Sequence, residues 1–123
     1  MDMTNLLFIC SKNQWRSPTA EHIFKKHPNF NVRSAGTSAS ARKTVNAKDI
    51  EWADTIFVME EHHKSRLKSE FTNSLKYKNI QVLDIPDDYQ YMDAELVEIL
   101  DQAVSGYLGI ARVTSSKNLN ESF

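Results

Sequence analysis

The sequence predicts an α/β fold, a four-stranded parallel sheet with helices on both faces. Three observations carry this. Short apolar runs recur along the chain, mostly continuous rather than alternating, as in strands buried on both faces. Stretches with apolar residues at helical spacing lie between them, and strands alternating with helices build a parallel sheet covered on both sides. Glycine and proline number only three each, and they punctuate these segments.

Leu6-Leu7-Phe8-Ile9 is the first continuous apolar run. Ser17-Pro18 reads as a helix start, with serine at the N-cap and proline at the first helical position. Ala20, Ile23, Phe24 and His27 follow at helical spacing, and Pro28 stops the element. Phe30 to Ser34 alternates as a second strand and ends at Ala35-Gly36-Thr37. Ser38 to Thr44 is small and polar, hence loop. Asn46 caps a short helix through Trp52, and Thr55 to Met59 is a third strand. Glu60 to Asn79 is charged, with Leu67, Phe71 and Leu75 at helical intervals. Ile80 to Leu83 is the fourth strand. Asp93 then caps a helix with Leu96, Ile99, Leu100, Ala103 and Tyr107 on one face.

The chain has 123 residues, 41% hydrophobic and 25% charged, which suits one globular domain over residues 1–111 with a loose polar tail over 112–123. No apolar run approaches the roughly 18–20 residues that span a bilayer, and Met1 to Cys10 lacks the basic lead of a signal peptide. Fifteen basic against sixteen acidic residues leave a net charge of -1, which gives no case for nucleic acid. One cysteine allows neither an internal disulfide nor a cysteine-based zinc site, and points to the cytoplasm.

That cysteine, Cys10, ends the first predicted strand. Ser11, Lys12, Asn13, Gln14 and Trp15 separate it from Arg16, and a helix begins at once. Ligands of open α/β sheets bind at the carboxyl ends of strands. A loop there that runs into a helix N-terminus gathers unpaired N–H groups and the positive end of the helix dipole, which suits phosphate and favours a thiolate. Arg16 can hold two phosphate oxygens with its planar fork. The Ser17 hydroxyl is placed to donate to the Cys10 sulfur. Read from the residues alone, Cys10 is either a small buried hydrophobe at a strand end or the nucleophile at the base of a phosphate-binding loop, and the strand end, the spacing to Arg16 and the Ser-Pro helix start favour the second.

Cys10, Arg16, Ser17, Pro18, Ala20 and Glu21 together form Cys-x5-Arg-Ser-Pro-x-Ala-Glu, which resembles the low-molecular-weight protein tyrosine phosphatases. Ser34-Ala35-Gly36-Thr37, the segment Trp52 to Glu60, and Ile85-Pro86-Asp87-Asp88-Tyr89 resemble that family's later segments in order. The resemblance implies Cys10 as the nucleophile of a phosphocysteine intermediate and Arg16 as the phosphate and transition-state ligand. It implies Asp87 as general acid and then base, with Asp84, Asp88 and Asp93 as competitors. Asn13 matches the asparagine that holds the loop open in a left-handed conformation, with Ser17 and Ser34 around it. Ser11, Lys12, Asn13, Gln14, Trp15, Ser17 and Tyr89 are the substrate-binding expectation.

The chain also departs from the family. Trp15 stands where many members carry a second cysteine, and Asp88 replaces the proline of Asp-Pro-Tyr. Lys12 replaces a glycine, no histidine occurs among Ser38, Ala39 and Ser40, and the chain is shorter than typical members. The function implied is phosphomonoester hydrolysis on a phosphorylated protein or small aryl phosphate, with no metal, cofactor, nucleic acid or membrane. The alternatives are a partner-thiol-coupled arsenate reductase and a non-catalytic phosphate-binding module. Adjacent His62 and His63 do not share a helix face, which argues against metal binding. Lys25, Lys26, Arg33, Arg42 and Lys43 are candidates for a cationic pocket rim, and Tyr89, Tyr91 and Trp15 for an aromatic wall.

Overall fold

The computed structural model of the chain describes residues 3–114. In chain order its elements are β1 (Thr4–Cys10), α1 (Arg16–Phe24), β2 (Phe30–Gly36), α2 (Ala47–Trp52), β3 (Thr55–Val58), α3 (Glu61–Glu70), β4 (Asn79–Val82) and α4 (Ala94–Leu108). All three strand pairings are parallel, and the sheet order is β2-β1-β3-β4. Every strand therefore ends at the same edge of the sheet, with β1 at its centre between β2 and β3.

The continuous apolar strands have the reason expected of them. Successive β1 side chains point to opposite faces, and both faces are covered. Leu6, Phe8 and Cys10 join Phe57, Met59 and Ile85 beneath α1 and α4, which contribute Ala20, Phe24, Leu96, Leu100 and Val104. Leu7 and Ile9 join Ile56 and Val58 beneath α2 and α3, with Ile50 and Leu67. Phe8 stacks between Phe24 and Phe57 at centroid distances of 5.8 and 5.3 Å. Truncating such a fully buried ring costs about 3–5 kcal/mol.

Three local expectations shift. Helix α1 begins at Arg16, with Trp15 at its N-cap and no side-chain cap. Ser17 lies inside the first turn because its hydroxyl is drawn inward to Cys10 and Asn13. The helical spacing of Leu67, Phe71 and Leu75 does not carry one helix to Asn79. α3 ends at Glu70, and Thr72-Asn73-Ser74, residues that favour turns over helix, lead to β4. Leu75 is still buried in the α2–α3 core. In α4, Leu96, Leu100 and Val104 are the fully buried apolar residues. Tyr107 is half exposed, with its ring edge-on to Phe57.

Asn46 and Asp93 cap α2 and α4 as expected. Of the polar tail, Val113 and Thr114 donate backbone hydrogen bonds to the buried Asp101 of α4, while 115–123 lie outside the described residues. No helix among the described residues is long and apolar enough to cross a membrane.

Candidate active site

The loop after β1 is held open by its own side chains. Asn13 is fully buried at φ 56°, in the left-handed region that asparagine tolerates. Its Nδ2 donates to Ser17 Oγ at 2.8 Å and Ser34 Oγ at 2.9 Å, and Ser34 in turn donates to Glu21. The loop after β2 closes against it. Thr37 N–H donates to Cys10 O, Ser38 N–H to Ser11 O and Arg42 N–H to Lys12 O, each at 3.0 Å. Gly36 is required at this crossing, since a Cβ there would sit 2.5 Å from Ser11 O and 2.7 Å from Ala41 Cβ.

Two sets of donors are left over. Among the described residues, the backbone N–H groups of 12–16 donate no hydrogen bond, as befits a loop entering a helix N-terminus. The Arg16 guanidinium is 2% exposed, and its Nη1 donates to Glu60 Oε1 at 2.7 Å and Ile85 O at 2.8 Å. Its Nε is buried without a hydrogen-bond partner, and Asp87 Oδ1 stands 3.6 Å away. One edge of the fork is thus fixed by protein, while Nε on the other keeps a donor that no hydrogen bond uses and that an anion could take.

Cys10 Sγ lies 3.0 Å from Ser17 Oγ. It lines a cavity of about 240 Å³ together with Lys12, Gln14, Trp15, Arg16 and Asp87. This brings the expected nucleophile, cation and acid into one space with an aromatic side chain. Of the competing aspartates, Asp93 is the α4 cap, and Asp84 sits at φ 57° in the turn after β4. Neither Asp84 nor Asp88 lines that cavity. Ser11, Asn13 and Ser17 build the loop from behind rather than line it. Tyr89 is not brought to the cavity. Its ring packs against the α4-side core, and its hydroxyl faces Glu95 at 3.5 Å.

The structure gives a place at the loop to two residues for which the sequence alone suggested none. Glu60, immediately after β3, anchors Arg16, and that hydrogen bond is the main cause of a carboxyl held below its ordinary range. His63 is fully buried. Its Nδ1 accepts the Glu60 N–H at 3.0 Å, so its Nε2 carries the proton and donates to Ser11 Oγ at 2.9 Å. Burial, followed by the nearby charges of His62 and Arg16, pushes its pKa down to about 4. One turn of chain at the start of α3 therefore holds both ends of the loop. The signal was present in Met59-Glu60 ending a strand beside β1, with His63 in the next helical turn. Glu60, His62 and His63 also lie within metal-ligand reach of one another. However, Glu60 is already bound to Arg16 and both ring nitrogens of His63 are in use, so a cation there would have to dismantle the loop's support.

A sequence model of the family described as low molecular weight phosphotyrosine protein phosphatase matches residues 5–53, the segment that carries the loop. The chain is 25% identical over 122 aligned residues to the low molecular weight protein-tyrosine-phosphatase Ptp of Acinetobacter johnsonii, covering 76% of this chain and 86% of that one. Its fold is similar to SP-PTP, the low molecular weight protein tyrosine phosphatase of Streptococcus pyogenes (TM-score 0.73, 20% identity, 98% and 100% of the two chains). It is also similar to Vibrio vulnificus Wzb in complex with benzylphosphonate (0.71, 22%, 87% and 98%). A third similar fold is the YwlE arginine phosphatase of Geobacillus stearothermophilus (0.68, 20%, 86% and 93%). The family's sequence pattern thus matches the segment that carries the loop, and the chain shares its four-stranded fold with solved structures of low molecular weight protein tyrosine phosphatases.

Proposed function

We propose that this chain hydrolyses phosphomonoesters through a phosphocysteine on Cys10, with phosphotyrosine in a protein or a small aryl phosphate as substrate. The observation that carries this is the convergence of Cys10, the half-engaged Arg16 and Asp87 on one cavity. In the first step the Cys10 thiolate attacks phosphorus and an S–P bond forms. The bond from phosphorus to the leaving oxygen breaks, and the Asp87 carboxyl gives that oxygen its proton. In the second step the Asp87 carboxylate takes a proton from water, whose oxygen attacks phosphorus. The S–P bond breaks, and inorganic phosphate and the thiolate are released. The free N–H groups of 12–16 and the open edge of Arg16 supply fixed donors to the equatorial oxygens, where charge gathers in phosphoryl transfer. The Ser17 hydroxyl supports the thiolate when it is the leaving group.

An aryl leaving group is favoured by Trp15, which is 39% exposed and lines the cavity. Arsenate reduction through an internal disulfide cascade would need further cysteines, and the chain has one. Hydrolysis of p-nitrophenyl phosphate and of phosphotyrosyl and phosphoarginyl peptides, beside arsenate turnover with added thiols, tests the reading. Turnover of the first two is expected. Arsenate turnover alone, or phosphate binding with no turnover of any substrate, would overturn it.

A further inference from the structure

Beside the cavity that holds Cys10 lies a second one of about 380 Å³, and Gln14 lines both. α1 contributes Glu21, His22 and Lys25 to it, and the loop after β2 contributes Arg42. Tyr91 closes it from the segment that also carries Asp87. That segment is pinned to α1: Tyr91 Oη and His22 Nδ1 are 3.2 Å apart, and Met92 N–H donates to Thr19 Oγ1 at 2.9 Å. The second cavity is therefore walled by the same elements that frame the first.

Its charge is unbalanced. Glu21 brings one negative charge to it, with its carboxylate accepting from Ser34 Oγ, against the positive charges of Lys25 and Arg42. Arg42 uses Nε on Asn13 O at 3.0 Å, and no other hydrogen bond or ion pair engages its guanidinium among the described residues. Lys25 Nζ likewise has no carboxylate or hydrogen-bond partner there. The chain as a whole carries -1, so this local excess of one positive charge is not the overflow of a basic protein. Of the five cations expected at the rim, Arg33 and Lys43 are instead paired with Asp49, and Lys26 lines a different cavity with His27 and Pro28.

We propose that this second cavity is a subsite for an acidic side chain next to the phosphorylated residue of a peptide or protein substrate, read by Lys25 and the free edge of Arg42. This rests on the phosphatase reading above and adds to it a preference for acidic sequence. Its volume falls in the range of ordinary small-ligand pockets, and its charge complements a carboxylate.

The test compares kcat/KM for two phosphotyrosyl peptides, one with Asp and Glu flanking the phosphorylated residue and one with Asn and Gln. Exposed charge pairs are each modest, so a preference of about three- to tenfold for the acidic peptide is expected at low ionic strength, shrinking as salt rises. Lys25→Glu should abolish or reverse that preference while kcat/KM on p-nitrophenyl phosphate is unchanged. Equal kcat/KM for the two peptides, or a preference untouched by Lys25→Glu, would overturn the subsite and leave the phosphatase reading standing. Failure to turn over either peptide or p-nitrophenyl phosphate would remove that reading and the subsite with it.

Discussion

Replacing Asn13 tests whether its side chain holds the loop in shape. Its Nδ2 makes two buried hydrogen bonds, at 2.8 Å to Ser17 and 2.9 Å to Ser34, worth about 1 kcal/mol each. Its Oδ1 has no partner among the described residues, so removing that atom forfeits no bond. Both serines keep other partners, in Cys10 and Glu21, and are not orphaned. The backbone at φ 56° adds a second cost for alanine of about 1–2 kcal/mol. Glycine escapes that cost but loses about 0.5–1 kcal/mol through the freedom of its unfolded chain. Asn13→Ala should therefore destabilise the protein by about 3 kcal/mol and Asn13→Gly by roughly 1 kcal/mol less. Urea unfolding at neutral pH, with p-nitrophenyl phosphate turnover measured on the same samples, gives both readouts. Activity should follow the same order, with asparagine above glycine and glycine above alanine. An alanine variant as stable as the parent, or more stable than the glycine variant, would show that the Asn13 side chain does not hold the loop in this way.

Asp87→Asn should slow phenyl phosphate hydrolysis by about 10²–10⁴-fold, the usual worth of general acid help, and p-nitrophenyl phosphate far less, since that phenolate leaves with little need of a proton. Asp88→Asn, tested in parallel, should show no such leaving-group dependence, and an exchange of the two behaviours would make Asp88 the acid. His63 gives a pH signature. Its pKa is pushed from 6.5 to about 4, so between those values the unfolded chain binds the proton that the folded one refuses. Stability should be full above pH 6.5 and fall by up to about 3 kcal/mol on acidification to pH 4. His63→Gln should flatten that window, and an unchanged slope would contradict the buried neutral ring. The Glu60 pKa is lowered by its hydrogen bond to Arg16, so its contribution is present above its ordinary 4.5 and fades as pH falls further. Glu60→Gln should remove that lower limb and weaken phosphate binding, measured by calorimetry at neutral pH.

What could be read from the sequence was what is contiguous in it. Cys10, Asn13, Arg16 and Ser17 lie within one loop and one helical turn, and the chemistry of a strand end meeting a helix start is local. The faces of β1 were legible because a strand covered on both sides must be apolar on both. Glu60 and His63 were missed because their role depends on β3 lying beside β1, which brings the residues after β3 to the loop after β1. Adjacent histidines were weighed as a metal pair, whereas only His63 turns inward. The start of α1 was misplaced because a serine before a proline signals a cap, and here the serine hydroxyl has a tertiary partner instead. Tyr89 lies near Asp87 in sequence but packs toward α4.

In the proposed reaction phosphate passes through the Cys10 sulfur. Millisecond mixing with p-nitrophenyl phosphate, an acid quench and mass spectrometry of the digested protein measure this most directly. One added phosphoryl group is expected on the peptide containing Cys10, rising with the first release of p-nitrophenol, and none in Cys10→Ser under the same conditions, with vanadate binding retained. Turnover in Cys10→Ser, or a quenched enzyme that cleaves substrate rapidly yet carries phosphate on another residue, would contradict it.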